Sequence, residues 1–139
     1  DGAEQQDGRT IMVMYTDGGD TRSAMTFAET LDLLKASRIT VYAIGLVENA
    51  GSARSQLQMT LRQLTETTGG QAFFPTAMKD VESAYEKVLA EIKGQYHLGY
   101  MSTNTATNGA WRKVEIKLKR DDMRLRSRKG YFAPYKESQ

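Results

Sequence analysis

Cysteine is absent from the 139 residues. That excludes a disulfide framework, a thiolate metal site and a cysteine nucleophile, while leaving the compartment open. Histidine occurs once, at His97, which argues against a Ser-His-Asp triad or a His-rich metal centre. No apolar run approaches the roughly 20 residues that a membrane helix needs. The chain opens on Asp1-Gly2-Ala3-Glu4, without an initiator Met and without the basic-then-apolar pattern of a signal peptide. Such a start is expected of a piece of something longer. Phosphate-cradling loops are also missing. Gly18-Gly19 and Gly69-Gly70 fit neither G-x-G-x-x-G nor the G-x-x-x-x-G-K-S/T loop.

What is present is ordinary for a folded domain. Hydrophobic residues make up 40% and charged residues 26%. The length suits one domain and suffices for a core without staples.

Residues 1–9 read as a polar lead-in. Thr10–Tyr15 (TIMVMY) is a short apolar run of the kind buried on both faces of a parallel sheet. Thr16-Asp17-Gly18-Gly19-Asp20 is a loop by composition. Thr26 and Glu29 have capping-box spacing, and Phe27, Leu31 and Leu34 form a helical stripe behind them. Ile39–Val47 is a second buried-type strand, and Glu48–Ser55 a loop. Leu57, Leu61 and Leu64 mark a second helix, which Gly69-Gly70 stops. Gln71–Phe74 is a short third strand closed by Pro75. Asp80 is a natural N-cap for a third helix, with Val81, Tyr85, Val88 and Ile92 along one face and Gly94 at its end. The order β-α-β-α-β-α implies parallel strands joined by crossovers, with helices on both faces.

The pattern then changes. Tyr96–Met101 reads as a strand and Ser102–Gly109 as a polar loop. In Trp111–Arg120, Val114, Ile116 and Leu118 alternate with Lys113, Glu115, Lys117 and Lys119. Asp121-Asp122 can turn the chain into Met123–Ser127, which alternates again, so an antiparallel hairpin solvated on one face is predicted. Tyr131-Phe132 and Tyr135 read as aromatic anchors for the tail. Trp111 reads as an anchor of the hairpin, and His97, Tyr42 and Phe73-Phe74 as structural residues.

Charge is concentrated in this second part. Residues 112–129 hold nine cations against three carboxylates, a net +6, and the rest of the chain sums to −4. Lys113, Lys117, Lys119, Arg124 and Arg126 form a candidate basic surface for an anionic polymer or a membrane surface. The plainer reading is that these are the solvent-facing positions of strands, where cations also discourage edge pairing.

The stretch IMVMYTDGGD, a helix, ITVYAIGL and then LRQLTETTGGQAFF resembles the second half of a von Willebrand factor type A (VWA) domain. The tail QYHLGY, GAWRKVEIKLKR and LRSRKGYFAPY resembles the C-terminal extension of the bacterial VWFA-related proteins of acidobacteria. The resemblance implies an α/β fold: a Rossmann-like three-layer α/β/α sandwich, present here as a partial VWA fold, followed by an antiparallel β-hairpin extension. Residues 1–95 would be the second half of the VWA-like domain, and 96–139 the extension packed on it. The family carries a metal-ion-dependent adhesion site at the carboxyl ends of its strands. Of its motifs only Thr16-Asp17-Gly18 occurs here, and no Asp-x-Ser-x-Ser does. Asp17 is therefore the one implied metal residue, supported by Thr16, Gly18, Gly19 and Asp20.

A hard cation, Mg2+ or else Ca2+ or Mn2+, would suit such oxygen ligands. The ligand set is incomplete, so binding by these residues alone is expected to be weak or absent. The implied role is a protein-interaction module that grips a partner carboxylate through the metal. No nucleophile-base or acid-base pair is visible, so an enzyme is not expected. A nucleic-acid partner is disfavoured because aromatic residues flank the basic segment instead of interleaving with it. The sequence is silent on membranes. A third reading is structural: Thr10–Tyr15 as an open edge strand would pair with another copy or with an upstream segment. An extracytoplasmic location is implied by the resemblance alone.

Overall fold

β2 (Thr40–Gly45) is the centre of the fold, and its residues from Val41 onward are buried. The computed structural model describes residues 10–16, 25–46 and 54–136. β1 (Ile11–Thr16) pairs parallel with β2 from Ile11–Thr40 to Thr16–Gly45. β3 (Ala72–Phe73) pairs parallel on the other side, Ala43 with Ala72 and Ile44 with Phe73. The sheet order is β1-β2-β3, as expected of strands separated by helices.

β1 is less buried than its composition suggests. Met12, Val13 and Tyr15 are 46%, 42% and 50% exposed. The reason is position: β1 is the edge of the described sheet, so among the described strands only β2 flanks it. An apolar run cannot by itself distinguish a central strand from an edge.

α1 (Phe27–Ala36) starts where the capping box predicts. The Glu29 amide donates to Thr26 Oγ1 at 3.3 Å, and the Thr26 amide donates back to Glu29 Oε2 at 2.7 Å. α2 (Arg54–Thr68) contains Ser55, so the preceding loop is shorter than expected at this end. Leu61 and Leu64 of its stripe are buried. The helix stops at Gly69, whose φ of +85° is left-handed and favours glycine. Thr68 then ties helix to sheet: its Oγ1 accepts from the Val41 amide at 2.9 Å and donates to Thr65 O at 2.9 Å.

α3 (Val81–Lys93) follows a 3-10 turn at Met78–Asp80. That turn changes the role of Asp80. Its backbone is already helical, φ −92° and ψ −5°, and its side chain makes no capping bond. A capping side chain needs the extended backbone that Thr26 has. Ala84 and Val88 pack with Tyr42 and Ile44 of β2, flanked by Val81 and Ile92. Tyr85 is exposed, so the buried face runs through Ala84 instead.

The C-terminal part departs most from expectation. Tyr96–Met101 forms no strand, and Tyr96 is 90% exposed. β4 (Trp111–Lys113) does enter an antiparallel pair, but its partner is β5 (Gly130–Phe132), with Trp111 opposite Phe132 and Lys113 opposite Gly130. Residues 123–127 are outside any ladder. The hairpin thus closes at its base and not along its alternating arms. Ile116, Leu118, Met123 and Leu125 remain exposed, so burial does not reward pairing there. At the base it does: the Trp111 and Phe132 rings meet edge to face at 5.0 Å. Tyr135 rests against Gly109 and bridges backbone with Asn108, as an anchor should.

Candidate functional site

The parallel register brings the carboxyl ends of β1 and β2 together. Thr16 ends β1 opposite Gly45, and its carbonyl accepts from the Leu46 amide at 2.9 Å. In open α/β sheets ligands bind outside the carboxyl ends of the strands, in the crevice at a topological switch point; the described order β1-β2-β3 contains no such reversal. Thr16 is half-buried at that edge. Asp17, Gly18, Gly19 and Asp20 lie outside the described residues. Among the described residues no three acidic or His side chains gather as a metal group would need.

The five basic residues do not share one face of a strand. Lys113 is in β4 and exposed. Lys117 lies 3.8 Å from Glu115, with both side chains largely in solvent, which makes this pair weak. Lys119 and Arg124 are exposed. Arg126 forms an ion pair with Glu91 of α3 and so serves to dock the extension. In the segment between β4 and β5, Lys117 and Arg126 are therefore ion-paired while Lys119 and Arg124 stand in solvent.

Two cations that the sequence offers no means of singling out do the most structural work. Arg128 points its guanidinium at the end of α1, donating to Leu34 O at 2.7 Å, Lys35 O at 3.1 Å, Ile39 O at 3.4 Å and Ser37 O. Leu34 O and Lys35 O are carbonyls that the end of a helix leaves without intrahelical donors, and Ser37 and Ile39 follow in the turn toward β2. Burial pushes the Arg128 guanidinium below its usual range. Arg112 gathers the polar loop before β4, donating to Asn104 O at 2.8 Å, to Ser102 Oγ at 3.2 Å and to Ala106 O.

Arg112 also lies 5.9 Å from the centre of the Tyr131 ring, and Tyr100 meets that ring edge-on at 6.4 Å. Hydrogen bonding from Tyr100, then from Arg112 and Ser102, pulls the Tyr131 phenol down to about 8. The same contact raises Tyr100. His97 is exposed in the segment before this cluster.

No family model and no curated protein matches the chain. Among solved structures it is similar to the crystal structure of an uncharacterised membrane-spanning protein from Vibrio fischeri, at 21% identity and a TM-score of 0.50. The match covers 60% of this chain and 47% of that one, so the chain spans about half the length of that structure. The likeness shows a shared α/β fold. Among the described residues of this chain, no helix is long and apolar enough to cross a membrane.

Proposed function

We propose that the chain is part of a protein-interaction module of the VWA type. Its working face is the carboxyl end of the parallel sheet, where Thr16 leads into Asp17. The observation that carries this reading is the register that sets Thr16 beside Gly45 at that end. The finer architecture, a Rossmann-like three-layer sandwich completed by elements outside this chain, belongs to the same proposal. So does an extracytoplasmic location.

The donor chemistry fits a hard divalent cation in part. Thr16, Asp17 and Asp20 offer a hydroxyl and two carboxylates, all hard oxygen donors. Asp17 would hold the ion directly or through water, with the remaining ligands from water or from other parts of the protein. A bound Mg2+, Ca2+ or Mn2+ supplies a coordination position that a partner's carboxylate can take. The chain's own part is to fix that position at the end of a rigid strand. Nothing in this role requires bond-breaking chemistry, so the module is read as a binder and not an enzyme.

Partner capture by the β1 edge is the second element of the proposal, supported by its half-exposed Met12, Val13 and Tyr15. The metal reading is tested by thermal unfolding with and without millimolar Mg2+. A cation that binds only the folded chain raises its melting temperature. The rise is expected to be small in the natural sequence, whose ligand set is incomplete, and absent in Asp17→Ala. No rise, or the same rise in both, overturns it.

A further inference from the structure

At the opposite end of the sheet, where β3 begins, the extension crosses the end of α2 and leaves a cleft of about 500 Å3. That size falls within the range of small-molecule sites. α2 contributes Arg62 and Glu66, the approach to β3 contributes Gln71, and the extension contributes Arg124, Arg126 and Lys129.

The charges do not cancel: four cations face one carboxylate. Arg126 is engaged by Glu91. Arg62 lies over the Phe74 ring, 5.4 Å from its centre, a contact that leaves its N–H edge able to donate. Arg124 and Lys129 have no ion pair among the described residues. Cations that line one cleft without counter-charges repel one another, and an anion between them relieves that repulsion. Glu66, the one carboxylate of the cleft, is an acceptor for a hydroxyl beside that anion.

We propose that this cleft binds a small phosphate monoester carrying hydroxyl groups. Arginine forks match phosphate oxygens in pairs, and Lys129 adds a point charge. Three available cations suit a doubly charged phosphate better than a single carboxylate. The hydroxyls of the organic part donate to Glu66. The same chemistry is offered by a sugar phosphate, a nucleoside monophosphate or a glycerophosphate headgroup.

Isothermal titration with glucose 6-phosphate, AMP, glycerol 3-phosphate, inorganic phosphate and glucose tests this and separates the sources. At least one ester is expected to saturate, and the tightest identifies its source, while glucose does not bind. Arg124→Ala with Lys129→Ala is expected to weaken that ester about tenfold or more, since charge-assisted bonds are lost. Lys117→Ala, outside the cleft, leaves affinity unchanged. Glu66→Ala weakens the ester relative to inorganic phosphate. Circular dichroism checks that each variant is folded. Failure of every ester to saturate, equal affinity in the folded double variant, or glucose binding as tightly as its phosphate overturns the proposal.

Discussion

The guanidinium of Arg128 donates to the carbonyl of Leu34 across 2.7 Å, although the two residues are 94 positions apart. The extension therefore adds to the cap that Ser37 gives α1; the Ser37 hydroxyl also donates to Leu34 O at 3.0 Å. α1's own C-cap contributes the Ser37 amide to Leu33 O at 2.9 Å, and Arg128 takes up the carbonyls beyond it. The neighbouring Lys129 amide reaches Thr67 O at 3.4 Å, so this short stretch contacts the ends of two helices.

Arg128→Ala is expected to destabilise the fold by about 2 kcal/mol, the scale of a lost charged hydrogen-bond donor to part-buried carbonyls. Urea unfolding measures it. Arg128→Lys should recover little, because an ammonium cannot replace a planar fork reaching several carbonyls. A loss below about 0.5 kcal/mol, the ordinary surface value, would contradict the capping role.

Tyr131 gives the extension a pH signature. Its folded value of about 8 lies below the ordinary 10.0, so ionisation favours the folded state. That contribution is fully present above pH 10.0 and is lost as pH falls through about 8. Phenolate absorbance should show one tyrosine titrating near 8, returning toward 10.0 in Tyr100→Phe and in Arg112→Ala. A titration unaffected by either change would contradict the cluster.

Helix α3 tests the corrected buried face. Val88 has 0% exposure, while Tyr85 is 48% exposed. Val88→Ala should cost about 2 kcal/mol by lost burial and the cavity left behind. Tyr85→Ala should cost within about 0.5 kcal/mol, as surface changes do. Equal costs would restore the face that places Tyr85 inward.

The contrast between Thr26 and Asp80 shows what was legible in the sequence. The capping box of α1 is written within four residues, so spacing alone locates it. Asp80 stands at the right place too, but a 3-10 turn fixes its backbone as helical, which composition does not announce. Gly69 was legible because a helix stop is local. Three parallel strands were legible because apolar runs alternate with helical stripes. The partner of β4 was not: alternation marks both 123–127 and 111–120 as strand-like, yet edge-to-face packing of Trp111 on Phe132 selects β5. Arg128 was not legible either, since nothing local separates it from the cations around it. At the proposed metal site the motif is legible as Thr16-Asp17-Gly18, but only Thr16 falls among the described residues.

The open edge of β1 predicts association. Among the described residues no strand lies on its outer side, and exposed Met12, Val13 and Tyr15 form a template for another strand. Light scattering should show mass rising with concentration, and Val13→Lys should suppress the rise. A monomer over the whole range would rule out pairing with a second copy.

The most direct test of the adhesion-type reading is a Mn2+ titration followed by NMR line broadening, on the natural sequence and on Asp17→Ala. Saturable broadening centred on Thr16 to Asp20, and lost in the variant, is the predicted result. Broadening that is absent, or scattered over the acidic surface and unchanged by Asp17→Ala, would contradict a metal-dependent binding face at the carboxyl end of the sheet.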